Sequence, residues 1–205
     1  MSAAIRPFEA RDLDSLFAIS LATGLAGADA SRLYDDPRMM GQIYSAPYAR
    51  LDPGLALVVE DEWGVAGFVV GTVDTAAWES RLEREWWSAL RRQYADPADI
   101  PAASRTPDQR RAFMIHHPTP TPPAIAGRYP AHLHLNLLAR LQGGGLGPKL
   151  FDAWLALAKD RGAKAMHVAV NRTNAKANRF WARQAFSELS LDSLPEGRTV
   201  WMGRD

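Results

Sequence analysis

QGGGLGPKL, residues 142–150, joins a segment with the period of a strand to a segment with the period of a helix. Before it, leucines alternate with polar residues from His132 to Leu137, as in a strand with one apolar face. After it, apolar residues recur every three or four positions from Leu150 to Ala158, and Pro148 suits a first helical turn. Glycine allows close backbone approach, and unpaired N–H groups at a helix start attract anions. The stretch therefore predicts a phosphate-binding turn.

Two familiar phosphate-binding patterns do not fit this stretch. A Walker loop ends in Gly-Lys followed by Ser or Thr, whereas Lys149 follows Pro148 and precedes Leu150. A dinucleotide fingerprint needs an acidic residue at the end of a second strand, and the candidate Asp160 falls inside the predicted helix. Neither a nucleoside triphosphate site nor a dinucleotide site is predicted.

The spacing Gln142-x-x-Gly145-x-Gly147 resembles the acyl-CoA pyrophosphate signature of the GCN5-related N-acetyltransferases (GNAT family). The resemblance implies that acetyl-CoA is the cofactor, with its pyrophosphate over the glycine turn and its pantetheine arm along the end of the preceding strand. The residues implied are Leu137, Leu138, Gln142, Gly143, Gly144, Gly145, Gly147 and Lys149.

A second motif follows in the order that the family shows. Asn174, Ala177, the pair Phe180-Trp181 and the pair Ala185-Phe186 stand where family members carry the helix beside the pantetheine arm. The resemblance implies that Asn174 hydrogen-bonds this arm. The resemblance covers roughly residues 130–189. Within it, the sequence of residues 132–147 resembles that of bacterial relatives of the acetyltransferase-like domain of O-GlcNAcase.

The predicted fold class is α/β. The resemblance implies a mixed, mostly antiparallel sheet that is splayed between its fourth and fifth strands, with helices on both faces. Residues 1–205 are expected to form a single domain. In the first 73 residues we predict a strand at residues 5–7 and a helix over residues 13–21 that is capped by Asp12 or Asp14. A second helix is predicted over residues 33–44, with an interruption at Pro37. A hairpin over residues 55–73 is predicted to turn at Gly64.

Residues 74–128 form an insertion between the third and fourth strands, which the family usually joins by a short turn. Its first part, residues 77–94, predicts an amphipathic helix with Trp78, Leu82, Trp86 and Leu90 on one side. Its second part carries seven prolines and is predicted to be irregular. Two interpretations stay open: a lid or dimer arm, which favours a homodimer, and a helix that covers the edge of the sheet.

Acetyl transfer to an amine needs a proton acceptor, because a lysine-like amine with a pKa near 10.4 is protonated at neutral pH. Strand alternation places His132, His134 and Asn136 on one face just before the glycine turn, and His134 is the first candidate for a base. The two histidines could alternatively lie in a half-buried hydrogen-bonded layer. A two-residue spacing is a weak metal signal, so no metal site is predicted. Many family members place a tyrosine acid where this chain has Trp181, for which a packing role is expected.

Composition limits the function classes. The 24 basic and 23 acidic residues are interspersed, which disfavours a nucleic-acid partner, and the chain has no cysteine for a thiolate site. The amino terminus lacks an apolar signal core and no stretch is long enough to cross a bilayer, so a cytoplasmic protein without a membrane partner is expected. Two functions remain: an acetyl-CoA-dependent N-acetyltransferase with an unidentified amine acceptor, and an acetyl-CoA-binding pseudo-acetyltransferase that acts as a sensor or interaction module.

Overall fold

Seven strands form one sheet in the part of the chain that the structure, a computed structural model, describes: residues 3–190 and 197–205. The strands are β1 (Ala4–Pro7), β2 (Ala56–Asp61), β3 (Gly64–Thr72), β4 (Ala131–Leu137), β5 (Met166–Asn171), β6 (Ser187–Glu188) and β7 (Thr199–Arg204). The helices are α1 (Leu13–Ala22), α2 (Met39–Tyr44), α3 (Ala46–Leu51), α4 (Thr75–Leu82), α5 (Ser88–Leu90), α6 (Pro107–His116), α7 (Pro123–Arg128), α8 (Leu146–Asp160) and α9 (Ala175–Arg183).

The sheet divides into two antiparallel halves joined by one short parallel pair. Its strand order is β1-β2-β3-β4-β5-β7-β6, and β4 with β5 is the parallel pair. These two strands pair only at Ala131 with Met166 and at His132 with His167. Beyond that point β4 continues to Leu137 and β5 to Asn171 without pairing with each other, so the sheet is splayed there. The predicted fold class, including this splay, is confirmed.

Apolar side chains cover both faces of the sheet. On one face, α8 buries Trp154 completely against β2, β3 and β4, and its indole N–H donates to the Leu55 carbonyl at 3.1 Å. On the other face, a second cluster includes Leu16 and Ile19 of α1, Tyr48 of α3 and Trp78 of α4. Helices on both faces are therefore required to bury the sheet, as the fold class implied.

The first strand, the first helix and the hairpin follow the predictions, except for the cap of α1. Strand β1, helix α1 and the hairpin of β2 and β3 are present, and Gly64 has a φ of +105° at the hairpin turn. Neither Asp12 nor Asp14 caps α1 with its side chain. The Asp12 carboxylate instead accepts the Glu9 N–H at 2.8 Å and two hydrogen bonds from Arg6, because a 3₁₀ turn leads directly into α1.

The predicted helix over residues 33–44 is shorter than expected. Residues 33–38 form turns, and α2 begins only at Met39, after Pro37. Pro47 then lies in the first turn of α3. Both prolines occur where a helix is about to start, which is a position that tolerates the missing N–H group.

The first part of the insertion is helical, but its register differs from the prediction. Helices α4 and α5 are joined by a π-helical segment, Glu83–Trp87. A π-helical turn adds a residue to the ordinary spacing, so Trp87 takes the buried position while Trp86 is only half-buried. The Trp86 indole N–H donates to the Gln42 carbonyl at 2.9 Å. This part of the insertion therefore packs in the apolar cluster on one face of the sheet and not along its edge.

The prediction that the second part of the insertion is irregular was wrong over residues 107–116 and 123–128, which form helices. Pro107 is the first residue of α6 and Pro123 is the first residue of α7, because proline is compatible with a helix start although it breaks a helix interior. Thr106 and Gln109 form a capping box at the start of α6. Helix α6 packs against α2, so this segment is part of the packed molecule and does not project from it as an arm.

Across residues 3–190 and 197–205, no helix combines the length and the apolar character that crossing a membrane requires.

Candidate active site

The splay between β4 and β5 opens into a cavity of about 770 Å³, called here the splay cavity. It brings together residues that lie far apart in the chain. Of the predicted site residues, its lining includes Asn136, Leu137, Gln142, Gly143, Gly145, Gly147, Asn174, Ala177, Phe180 and Trp181. The predicted residues outside its lining are His132, His134, Leu138, Gly144 and Lys149.

The glycine turn presents bare backbone to this cavity. Gly143 has a φ of +82° and Gly145 a φ of +77°, conformations that side chains other than glycine disfavour. Gly145 is the N-cap of α8, a helix of 15 residues. A Cβ atom added at Gly143, Gly144 or Gly145 would meet no atom within 4 Å, so the space in front of the turn is open. An anion can reach the first N–H groups of α8 there.

Two cations on the rim of the cavity were not predicted from the sequence. Lys176 and Arg183 of α9 line the cavity, whereas the predicted Lys149 is exposed and lies outside the lining. Both new cations lie on α9, the helix that follows β5, and they line the same cavity as the glycine turn. Sequence alone offered no spacing that distinguished these two positions from other exposed basic residues.

The backbone N–H groups of Leu137 and Leu138 point to opposite sides of β4. The Leu138 N–H donates to the Ala66 carbonyl at 2.8 Å, so it is already satisfied by the neighbouring segment. Because directions alternate along an antiparallel ladder, the N–H groups of Leu135 and Leu137 face the opposite side, into the splay. Of the two residues that the resemblance implied along the pantetheine arm, Leu137 therefore directs its N–H to the splay, and Leu138 does not.

Side chains at the edge of the cavity hold its backbone in place. The Gln142 Nε2 donates to the Leu137 carbonyl at 2.8 Å, which ties the glycine turn to the end of β4. The Asn174 Oδ1 accepts the Ala177 N–H at 3.0 Å and caps α9. With its oxygen used in this way, Asn174 keeps its side-chain N–H groups for a ligand.

Trp181 lies in an aromatic cluster rather than at an open position. Its ring is 94% buried and packs against Phe151, Phe180 and Phe186, with ring centroids 4.8–5.7 Å apart. An indole donates a hydrogen bond but is not a proton donor of useful acidity. The arrangement agrees with a packing role for this residue at the wall of the cavity.

On the opposite face of β4 from α8, His132 and His134 meet a tyrosine that the sequence did not single out. The Tyr48 hydroxyl lies 2.6 Å from Nε2 of His132 and 3.3 Å from Nε2 of His134. Tyr48 belongs to α3, 84 residues before His132, so no local spacing could have indicated the contact.

The hydrogen bonds around His132 fix the direction of this cluster. Thr75 donates its hydroxyl hydrogen to the Pro130 carbonyl at 2.7 Å, and its oxygen lies 2.6 Å from Nδ1 of His132. The His132 Nδ1 must then carry the proton, and its Nε2 accepts from Tyr48. The Tyr48 oxygen can accept from Nε2 of His134, which leaves Nδ1 of His134 as the unprotonated nitrogen. His132 therefore positions Tyr48, and His134 keeps a lone pair.

Burial controls the charge of both histidines. It lowers the pKa of His134 to about 4, and it lowers the pKa of His132 well below its usual range, with the neighbouring His167 adding to both shifts. Both rings are therefore neutral at pH 7, so each keeps an unprotonated nitrogen.

Asn136 connects the histidine face of β4 to the splay cavity. Its Nδ2 donates to the Thr23 hydroxyl at 2.6 Å, and both residues line the cavity. Along this face of β4, Asn136 thus lies at the cavity, and His134 and His132 lie progressively farther from it. Within the described residues, no group of three or more His, Asp or Glu side chains is arranged to hold a metal ion.

Solved structures resemble the whole chain. The crystal structure of SsHAT matches with a TM-score of 0.88 and 32% identity, over 100% of this chain and 98% of SsHAT. An N-acetyltransferase from Staphylococcus aureus Mu50 matches with a TM-score of 0.55 and 14% identity, over 100% and 99% of the two chains. The PaiA N-acetyltransferase from Thermoplasma acidophilum, solved with coenzyme A, gives 0.55 and 13% over the same shares.

No protein-family model matches the chain. The family assignment therefore depends on the similarity to SsHAT over the whole length, and the fold agrees with that of the two more distant acetyltransferases. The narrower resemblance to the acetyltransferase-like domain of O-GlcNAcase stays a prediction. The splayed sheet, the glycine turn at the start of α8 and these similarities together show that the chain belongs to the GCN5-related N-acetyltransferase family.

Proposed function

We propose that the protein is an acetyl-CoA-dependent N-acetyltransferase that acts on an amine. The observation that carries this proposal is the splay cavity, in which the glycine turn, the unpaired edge of β4 and the basic rim meet. A strand edge and a helix start offer different hydrogen bonds, and an acyl-CoA molecule has groups that match both of them. Its thioester supplies the acetyl group.

The residues of the cavity fit this cofactor group by group. The N–H groups at the start of α8, with the open space over Gly143 and Gly145, would hold the pyrophosphate. The N–H groups of Leu135 and Leu137 would pair with the amides of the pantetheine arm, in the manner of an added strand. Lys176 and Arg183 supply positive charge at the rim. Side chains of Phe180 and Trp181 would cover the apolar part of the arm.

The amine would approach from the histidine face of β4. Nδ1 of His134 is the nitrogen left to accept a proton, and Tyr48 fixes the orientation of its ring. Because the pKa of His134 is about 4, it would be a weak base toward a protonated alkylamine. We therefore expect the acceptor to react from its neutral form, and turnover to rise with pH as the acceptor amine loses its proton.

Two glycines with the same backbone strain test the cofactor site. Gly145 and Gly162, with φ of +77° and +88°, lie at opposite ends of α8. Replacing either by Ala should cost about 1 kcal/mol of stability, since both adopt a left-handed conformation. In calorimetric titrations with acetyl-CoA, Gly145→Ala should weaken binding at least about tenfold, because the methyl group stands in front of the turn. Gly162→Ala should bind as the unmodified protein does; equal weakening of both variants would contradict the site.

Turnover is tested separately from binding. Transfer of acetyl to an amine breaks the thioester and releases a free thiol, so thiol release can be followed with panels of amines, peptides and amino sugars. Acceleration above hydrolysis by at least one amine supports the enzyme. Saturable acetyl-CoA binding without any acceleration would instead support an acetyl-CoA-binding module, for which the absence of a tyrosine at Trp181 is the specific observation.

A further inference from the structure

Arg111 of α6 projects from the insertion toward the histidine face of β4. Its Nε donates to the Tyr34 hydroxyl at 3.1 Å, and its Nη1 donates to the Tyr44 hydroxyl at 3.0 Å. The Met114 sulfur lies 3.1 Å from the same Nη1. Within residues 3–190 and 197–205, no carboxylate oxygen approaches the guanidinium within the 4.0 Å expected of an ion pair.

Other partly buried arginines in this part of the chain have stronger acceptors. Arg6, Arg81 and Arg91 pair with carboxylates. Arg105 and Arg204 lack a carboxylate partner, but they donate to backbone carbonyl groups. Arg111 has only hydroxyl and thioether groups, which are weak acceptors for a cation that is partly removed from water.

The residues around Arg111 lead to the proposed acceptor side. The Tyr44 ring centroid is 5.5 Å from Cζ of Arg111 and 5.7 Å from the His134 ring. Burial raises the pKa of Tyr44, yet Tyr34, Tyr44 and His134 all keep part of their surface accessible. The partly exposed surface of these side chains, called here the recess, runs along Tyr44 from His134 to Arg111.

The insertion holds this recess rigidly. At the start of α6, the Asp108 carboxylate accepts the N–H groups of Asp35 and Asp36 at 3.0 and 3.1 Å. After α5, the Tyr94 hydroxyl donates to the Asp36 carboxylate at 2.6 Å. These contacts fix the turn that carries Tyr34 relative to Arg111. A cation presented in this way has a defined direction, which is what recognition of a planar anion requires.

We propose that Arg111 binds a carboxylate on the acceptor, so that the substrate class is an amine that carries a carboxylate several bonds from its nitrogen. This inference rests on the proposed function, since it concerns the acceptor of that reaction. The nitrogen would lie at His134 and the carboxylate at Arg111, with the intervening chain along the Tyr44 ring. A substrate carboxylate that pairs with the guanidinium through two hydrogen bonds would supply the negative charge that Arg111 does not find in the protein.

A ladder of ω-amino carboxylates tests the substrate class. Thiol release from acetyl-CoA would be measured with β-alanine, 4-aminobutanoate, 5-aminopentanoate and 6-aminohexanoate, each beside the alkylamine of equal chain length. The longer carboxylates should react with a KM at least about tenfold lower than their alkylamines, because one charged pair is made only by the carboxylate. Equal KM values in both series would overturn the inference while leaving the acetyltransferase proposal intact.

Neighbouring arginines of α6 provide the matched variants. Arg111→Gln keeps a donor for the tyrosine hydroxyls but removes the charge, and with 6-aminohexanoate as the acceptor it should raise KM about tenfold or more. With the matched alkylamine as the acceptor, KM should stay within about twofold. Arg110→Gln changes an exposed residue of the same helix and should alter neither value. A similar rise for both substrates in Arg111→Gln would indicate a structural role only.

Binding decides the question if no amine is acetylated. Calorimetric titration of 6-aminohexanoate into the unmodified protein saturated with coenzyme A should then show saturable binding that Arg111→Gln weakens and Arg110→Gln does not. Absence of such binding, in protein that binds coenzyme A normally, would overturn the assignment of Arg111. Failure to bind coenzyme A at all would contradict the proposed function as a whole, which is a distinguishable result.

Discussion

Ala185 adopts a backbone conformation that favours glycine. It has a φ of +61°, in the left-handed region that costs an L-residue roughly 1–2 kcal/mol. We expect Ala185→Gly to raise the free energy of unfolding by about 1 kcal/mol in chemical denaturation, after the larger entropy of unfolded glycine is subtracted.

Ala182 is the control for this change. It is exposed within α9, where glycine should lower the free energy of unfolding by about 1 kcal/mol. The two substitutions should therefore shift the denaturation midpoint in opposite directions. Loss of stability in both variants would show that the conformation at Ala185 is not strained.

His134 predicts how stability depends on pH. Its pKa is about 4 in the folded protein and near 6.5 when unfolded, so the unfolded chain binds more protons between these values. Its contribution is complete above about pH 6.5 and is lost as the pH falls through 4, with a total on the order of 3 kcal/mol. We expect His134→Asn to flatten the decline of the unfolding free energy measured between pH 7 and pH 4.

A destabilising substitution that removes no titratable group shows whether the change in pH dependence comes from His134 or from lower stability alone. Leu135→Ala, on the same strand, should lower the unfolding free energy by a similar amount at pH 7 and at pH 5. His132 also has a lowered pKa, so part of the decline should remain in His134→Asn. An unchanged slope in that variant would mean that His134 is not kept neutral by the fold.

These residues also show which part of the site sequence could predict. His132, His134 and Asn136 share one face because strand alternation is a local rule, and the structure places them so. Their partners Tyr48 and Thr75 come from elements 57–86 residues away, and only the folded chain brings them together. Local patterns therefore gave the candidate base, and the side chains that orient it were missed.

At the scale of single elements, the π-helical segment makes a prediction that reverses the helical pattern of the sequence. A regular helix through Trp78 and Leu82 would bury Trp86, but Trp87 is the residue that packs in the core, with 7% exposure. Trp87→Ala should cost about 3–5 kcal/mol of stability. Trp86→Ala, which removes one hydrogen bond to Gln42 and a half-buried ring, should cost about 1–2 kcal/mol.

Denaturation of the two variants under identical conditions measures this difference. A larger loss for Trp86→Ala would show that the segment keeps regular helical spacing. Periodicity could not have indicated the shift, since a π-helical turn is selected by packing on both sides of it and leaves no local sequence signal. The prolines of the insertion were misleading for a related reason, because Pro107 and Pro123 begin helices instead of preventing them.

At the scale of the whole molecule, the two halves of the sheet are joined by only two residue pairs between β4 and β5. The resemblance to the family predicted this splay, whereas hydrophobic patterning alone would not have distinguished it from a continuous sheet. The packing of the insertion was not predictable, because its contacts to the turn at Asp35 and Asp36 span 58–73 residues.

A ligand that fills the splay should act on the edge of β4 selectively. The N–H groups of Leu135 and Leu137 face the splay, while those of Asn136 and Leu138 face β3. We expect acetyl-CoA to slow hydrogen exchange at Leu135 and Leu137 by at least about tenfold, since pairing with the pantetheine arm would give these amides hydrogen-bond partners. Amides already paired with β3 exchange through local openings that leave the ligand bound, so they should gain little protection beyond a global term that is common to the strand.

Amide-resolved exchange with and without acetyl-CoA measures this selectivity, and Gly145→Ala serves as the binding-deficient control. Subtracting the change at Asn136 and Leu138 from that at Leu135 and Leu137 removes the global term. A difference that persists in the unmodified protein and disappears in Gly145→Ala would show that one ligand spans the strand edge and the glycine turn. Uniform protection across β4 would mean that the ligand stabilises the fold from another surface, and the splay would then be a structural feature without a role in binding.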